Sequence, residues 1–151
     1  MNLKLGCIAD DLTGASDLAG TLAARGMRTT QLTGVPSAPI ETSDLDAAVI
    51  GLKSRNLTAT EAVQHSVAAY RYLADVGCDH VYFKYCSTFD SGDQGNIGPV
   101  IEALMRESGQ SVGLACPAFP ANGRTVYQGH LFVGDRLLHE SGMENHPLTP
   151  M

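Results

Sequence analysis

Residues 8–15 read IADDLTGA: an apolar strand end, two adjacent aspartates, a threonine, a glycine and the start of an alanine-rich stretch. The run Leu3 to Ala9 is short and mostly apolar, which predicts a strand leading straight into Asp10 and Asp11. From Thr13 to about Arg25 the apolar positions Ala15, Leu18, Ala19, Leu22 and Ala23 recur at helical spacing, and Gly26 stands where a helix-terminating glycine belongs. A strand that turns into a helix across a pair of acids is the first unit of an alternating β and α pattern.

The pattern continues along the chain. Met27 to Thr33, rich in threonine, predicts a second strand. Gly34 to Asp44 carries two prolines and several turn formers and reads as a loop within the domain. Asp46 to Leu52 predicts a third strand. Thr58 and Glu61 match a capping box, in which the threonine accepts from an early helix amide while the glutamate reaches back, opening a long helix that ends near Gly77. A β-branched and aromatic strand runs from His80 to about Cys86, followed by a polar, glycine-rich loop. The next helix spans Pro99 to Ser108, with Gly98 as its cap, Pro99 at the first helical position and Gly109 as terminator. Ser111 to Cys116 predicts a fifth strand halted by Pro117. Short extended pieces then flank a Gly134-Asp135 turn between Leu131-Phe132-Val133 and Leu137-Leu138.

Strands alternating with helices predict an α/β fold: a three-layer, mostly parallel sheet with helices on both faces. Such sheets bind ligands at the carboxyl ends of their strands, so the residues that follow each strand matter most. These are Asp10-Asp11, then Lys53-Ser54-Arg55-Asn56, then Lys84 to Asp90, then Asn122-Gly123-Arg124-Thr125. One rim is expected to collect two acids, several cations and many hydroxyls.

Composition narrows the function. The 151 residues suit one domain with a hydrophobic core that needs no metal or disulfide. At 44% hydrophobic residues the chain has no apolar run near the roughly 20 residues of a membrane span, and no signal-peptide core. A cytoplasmic location is expected, with no membrane partner. The net charge of -6 and the absence of clustered Lys and Arg argue against nucleic-acid binding, which draws its affinity from such clusters. Cys7, Cys78, Cys86 and Cys116 are widely spaced without zinc-ligand spacing and are expected to be buried, reduced thiols; Cys86 is the exception, a candidate to line a pocket.

Asp11 is placed to cap the first helix, a role worth about 1 kcal/mol by itself. Asp10 has no such structural reason, and two carboxylates at one strand end repel unless a cation, a metal or a shared proton relieves them. The pair is a candidate general base with a neighbour that tunes it or holds a metal. Of only ten Lys and Arg residues, Lys53, Arg55, Lys84 and Arg124 fall at the same expected rim, which suits an anionic ligand. Arg55, with its planar fork, is the candidate carboxylate clamp. Ser87 and Thr88 are candidates to bond sugar hydroxyls. Gly95 to Gly98 precede a helix N-terminus, but neither common glycine-rich phosphate-loop motif occurs, so no ATP site is recognised.

The motifs IADDLTGASD, LKSRN, FKYCSTFDS, GNIGPV, NGRT and GHLFVGDRLLHESGMENHPLTPM, in this order along the whole chain, resemble the amino-terminal part of the four-carbon acid sugar kinases, most of all the 3-oxo-tetronate kinase group. The resemblance implies an enzyme that uses ATP to phosphorylate the terminal hydroxyl of a four-carbon sugar acid. Residues 1–151 would be a truncated, incomplete N-terminal sugar-binding domain of a two-domain kinase, and ATP with Mg2+ would be bound mainly by a separate nucleotide-binding domain of the full-length protein. It implies that Asp10 and Asp11 supply the base or substrate-hydroxyl ligand, Asp11 being favoured, and that Arg55 is the family's arginine after the third strand. Lys84 to Thr88 fall on its strand-four segment, with Cys86 where other members often carry an aspartate, a departure expected to alter substrate choice. Because family members continue past the position of Met151, this chain alone is expected not to turn over and to leave a sheet edge uncovered, which leads to association, as in a homo-oligomer, or to a marginal fold unless a neighbour protects that edge.

Three other readings compete. A receiver-like domain also places acids after its first strand to hold Mg2+, but needs an aspartate at the end of the third, where Leu52-Lys53-Ser54 stands. A haloacid-dehalogenase phosphatase needs D-x-D-x-T, and Leu12 occupies the second aspartate's place. A non-catalytic module that only binds acid sugars remains open.

Overall fold

The apolar runs of the sequence become four parallel strands with their ends in register. In a computed structural model, which describes residues 3–89 and 92–146, the chain forms β1 (Leu5–Ala9), α1 (Leu12–Ala24), β2 (Thr29–Thr33), β3 (Ala47–Gly51), α2 (Ala59–Asp75), β4 (Val81–Lys84) and α3 (Ile97–Ser108). A small antiparallel sheet follows, of β5 (Arg124–Tyr127), β6 (His130–Val133) and β7 (Arg136–Leu137). The main sheet has the order β2-β3-β1-β4, parallel throughout. Thr33, Gly51, Ala9 and Lys84, the last residues of the four strands, stand in one row across it. The rim that carries the functional loops is therefore level.

Alternation along the strands divides the core between two faces. Ile8, Ala48 and Ile50 pack with Ala62, Ala69 and Leu73 of α2 and with Val100 and Leu104 of α3. Cys7, Ala9 and Val49 face the other way, onto Ala15, Leu18, Ala19 and Leu22 of α1. Helices cover both faces, as the alternating pattern predicts. Neighbouring strands β1 and β3 thus send their chains to opposite faces, β1 to α1 and β3 to α2, which opens a crevice between their carboxyl ends. Gly51 lets α1 sit close over this crevice, since a Cβ there would lie 2.9 Å from both Ala15 Cβ and Leu12 Cδ2.

Local signals in the sequence account for most of the boundaries. Asp11 caps α1 by accepting from Gly14 N–H, and Gly26 follows the helix at φ 89°. The capping box of α2 is complete: Thr58 Oγ1 accepts from Glu61 N–H while the Glu61 carboxylate accepts from Thr58 N–H. The loop from 34 to 46 needs no helix to cross between parallel β2 and β3, because Tyr72 of α2 holds it, accepting from Ile40 N–H and donating to Ala38 O. In the small sheet, Gln128 and Gly129 both take positive φ, the geometry a two-residue hairpin favours.

Several expectations need correction. The predicted fifth strand, Ser111 to Cys116, has no ladder; it borders a cleft of about 790 Å³ whose opposite wall includes Val81, Tyr82 and Phe83 of β4. A strand exists only through a partner strand, and this segment has none among the described residues; the Cys116 backbone meets the Tyr85 side chain instead, and Val112 and Leu114 stand 82% and 98% exposed. Helix α3 begins two residues before Pro99, with Asn96 rather than Gly98 at the cap; proline is tolerated anywhere in a first turn, whose N–H groups lack intrahelical partners. Of the four cysteines Cys7 is buried, Cys78 and Cys86 are half-buried and Cys116 is exposed on the unpaired segment. Asp90 and the final five residues of the last family-like motif lie outside the described residues. Among the described residues no helix is long and apolar enough to cross a membrane.

Candidate functional site

The acid pair divides into two unlike carboxylates. Asp10, only 3% exposed, is built into the rim: its N–H donates to Lys84 O at 3.1 Å, and its carbonyl accepts from Ser54 N–H at 2.9 Å and from Arg55 N–H at 3.1 Å. Its Oδ2 accepts from Cys86 N–H at 2.9 Å, while Oδ1 is buried without a partner among the described residues. Burial pushes its carboxyl up to about 6; the Cys86 N–H opposes that shift, Asp11 adds to it, and Lys84 and Arg55 oppose it. Asp10 therefore ties the loops after β1, β3 and β4 together.

Asp11 faces outward. One oxygen accepts from Gly14 N–H as the cap of α1, and Oδ2 lies 3.4 Å from Arg55 Nη1, both side chains being 26% exposed. Arg55 also reaches Thr88 Oγ1 at 3.5 Å, and Thr88 Oγ1 lies 3.1 Å from Cys86 Sγ. A partly exposed aspartate, an arginine, a hydroxyl and a thiol thus share one mouth over the crevice between β1 and β3. The acid can accept a proton from a ligand hydroxyl, and the guanidinium can meet a carboxylate.

Lys84 stands beside this group. Its Nζ donates to Tyr85 O at 2.8 Å and lies 3.5 Å from where a Cβ on Gly14 would be, so the glycine leaves room for the ammonium over the first turn of α1. Lys84 and Ser87 line a second cleft of about 170 Å³ with Asp17 and Thr21 of α1 and with Phe119. Of the residues read from the sequence, the structure gathers Asp10, Asp11, Arg55, Lys84, Cys86, Ser87 and Thr88 at the carboxyl ends of three strands. Arg124 opens β5 in the small sheet, and no described hydrogen bond or ion pair joins it to them; its Nε is buried without a described partner. Lys53 is exposed on the same loop as buried Ser54. Among the described residues no cluster of three His, Cys, Asp or Glu side chains could hold a metal ion.

Asn96 is a residue that sequence reasoning missed. It lies 7% exposed, and its Nδ2 contacts three carbonyls of the loop that carries Arg55. The sequence offers only a weak signal for it: with Gly98 read as the cap, Asn96 falls in a polar, glycine-rich loop, where an asparagine is ordinary.

Comparison with known proteins adds to this geometry. Residues 5–151 match a family described as the sugar-binding N-terminal domain. A 3-oxo-tetronate kinase of Burkholderia multivorans is 63% identical over 97% of this chain and 34% of its own length. A solved chain from Salmonella typhimurium LT2, provisionally described as a tRNA synthase, is 53% identical with a TM-score of 0.96, covering 100% of this chain and 36% of that one. A domain of unknown function from Bordetella bronchiseptica, solved as a domain-swapped dimer with bound citrate, is 33% identical with a TM-score of 0.84, covering 97% of this chain and 37% of that one. The chain spans about a third of the length of the relatives it matches.

Proposed function

The chain belongs to the sugar-binding N-terminal domain family, and on that premise we propose that it is the substrate-binding part of a kinase acting on the terminal hydroxyl of four-carbon sugar acids, of the 3-oxo-tetronate, threonate or erythronate type. The observation that carries the reading is the Arg55 guanidinium held between Asp11 and Thr88 at the mouth of the crevice. A sugar acid presents a carboxylate and several hydroxyls, and this mouth presents a planar cation beside an acid, a hydroxyl and a nearby ammonium. The carboxylate names of the kinase relative's substrate and of the Bordetella domain's bound citrate support an acid ligand.

In this reading Arg55 and Lys84 hold the carboxylate and hydroxyls, Thr88 and Ser87 bond hydroxyls, and Cys86 shapes the pocket between them. Asp11 orients the attacking hydroxyl and takes its proton, while buried Asp10 fixes the three loops and sets the charge balance around Asp11. Arg124 takes part only where ligand or a further domain brings it near. Phosphoryl transfer of this kind requires ATP with Mg2+. The residues described do not fit that group: Asp10 has one oxygen on Cys86 and the other buried, Asp11 already faces the Arg55 guanidinium, and among the described residues no three His, Cys, Asp or Glu side chains converge to hold a metal ion. We assign nucleotide and metal to a separate domain of the full-length protein, residues 1–151 belonging to the sugar-binding domain of a cytoplasmic enzyme that self-associates, as the Bordetella relative does. A tRNA substrate suits the -6 net charge poorly.

Calorimetric titration of this chain with erythronate and threonate, beside Arg55→Ala, tests the reading. Binding that the variant loses supports it; equal binding by both proteins overturns the role of Arg55.

A further inference from the structure

Asn96 occupies the N-cap position of α3 without making a cap bond. Asparagine is favoured there because its side-chain oxygen can accept a first-turn N–H, so its engagement elsewhere calls for a reason. Nδ2 points instead into the loop after β3, 2.9 Å from Ser54 O, 3.0 Å from Leu57 O and 3.2 Å from Arg55 O. Three carbonyl oxygens converging on one nitrogen form a socket that only a donor can fill. The amide's two hydrogens are shared among the three, and the side-chain oxygen could not replace them.

From the other side, Asp10 O accepts the N–H groups of Ser54 and Arg55. The Arg55 peptide units are therefore gripped at both ends, the N–H by the end of β1 and the C=O by the start of α3. We infer that Asn96 is a positioning residue that fixes the backbone of residues 54–57 and so keeps the Arg55 guanidinium beside Asp11 and Thr88. A long arginine side chain loses less freedom on binding when its Cα is already fixed, so the clamp is set before a ligand arrives. The effect on ligand binding rests on the reading of Arg55 as the carboxylate clamp; the effect on the loop does not.

Asn96→Asp keeps the shape and turns the donor into a carboxylate facing three carbonyl oxygens. Asn96→Ala, which removes the donor without adding charge, serves if the first variant does not fold. In amide hydrogen exchange of the 151-residue chain, either variant should speed exchange at Ser54, Arg55 and Leu57 by about tenfold or more while Val49 and Ile50 of β3 keep wild-type rates. Unchanged rates at the three loop amides would overturn the inference. In erythronate titrations, a variant at Asn96 should weaken binding about tenfold when Arg55 is present and cause no further loss in an Arg55→Ala background. Equal losses in both backgrounds would show that Asn96 does not act through Arg55, and would overturn it too. If the wild-type chain binds no erythronate, the clamp reading fails, and the exchange experiment alone decides the role of Asn96.

Discussion

Arg55 Nη1 lies 3.4 Å from Asp11 Oδ2, joining the loop after β3 to the first turn of α1 across the crevice between β1 and β3. Each partner has a local function as well. Asp11 caps its helix, and Arg55 leans on Thr88 of the loop after β4. A ligand carboxylate at this mouth would meet an arginine already aimed by Asp11 and Thr88.

Separating the cap from the charge is possible because asparagine caps helices about as well as aspartate. Asp11→Asn should keep stability within about 1 kcal/mol of wild type in urea unfolding, while Arg55→Ala should weaken sugar-acid binding about 10- to 100-fold. In the full-length protein, the proposed kinase activity should lose far more in kcat than it gains in KM when Asp11→Asn is made. A matched loss in KM alone would remove Asp11 from the proton-transfer role.

Asp10 makes a prediction about pH. Its carboxyl is pushed from the ordinary 3.8 up to about 6, chiefly by burial, so the folded chain holds this proton to higher pH than the unfolded chain does. Its contribution to stability is therefore fully present below about pH 4 and is lost as pH rises toward 6, by about 3 kcal/mol. Asp10→Asn still accepts from Cys86 N–H but does not titrate. Urea unfolding at pH 4 and pH 7 should show the variant gaining on wild type as pH rises; a constant difference would mean that Asp10 is not held protonated by its burial.

Much of this architecture was legible in the sequence because its signals are local. The capping box of Thr58 and Glu61, the cap at Asp11 and the alternation of strands and helices all act within a few residues, and the rim positions of Asp10, Asp11, Arg55 and Lys84 follow from strand order alone. What failed depended on partners distant in sequence. Ser111 to Cys116 has strand composition but no ladder, Arg124 opens a strand that does not join the parallel sheet, and Asn96, two residues before the glycine read as the cap, gives no sign of the three carbonyls it meets. The different burial of Asp10 and Asp11 could not be read from two adjacent letters either, since it arises where three loops meet.

Gly51 tests how tightly α1 is set over the crevice. An alanine Cβ there would come within 2.9 Å of Ala15 Cβ, which cannot rotate away, so α1 must shift. Gly51→Ala should cost about 1–3 kcal/mol of stability and weaken sugar-acid binding as well, because Asp11 moves with the helix. Thermal unfolding and titration of the same variant would separate the two effects.

The thiols should react in an order set by their surroundings. Cys116 is exposed, whereas Cys7 is buried and its thiol is pushed up to about 12, chiefly by burial. An aromatic disulfide reagent at pH 8 should label Cys116 first, and Cys116→Ser should remove that fastest phase. Cys7 should stay unlabelled until the chain unfolds. Rapid labelling of Cys7 in the native chain would contradict the packing of α1 on the sheet.

The uncovered edge gives the last prediction. Among the described residues β4 pairs with β1 on one side only, and beyond it Tyr82, Val112 and Leu114 expose large apolar surface around the 790 Å³ cleft. Unpaired strand edges flanked by apolar side chains invite association, and a charge on such an edge opposes it. Sedimentation of the 151-residue chain should show a concentration-dependent rise in mass, and Val112→Lys with Leu114→Lys should abolish it without loss of secondary structure. Both side chains are almost fully exposed, so their replacement removes little packing within the chain. A monomeric wild type at high concentration would show that the edge is protected by its own backbone geometry, and association that persists in the double variant would place the contact elsewhere on the molecule.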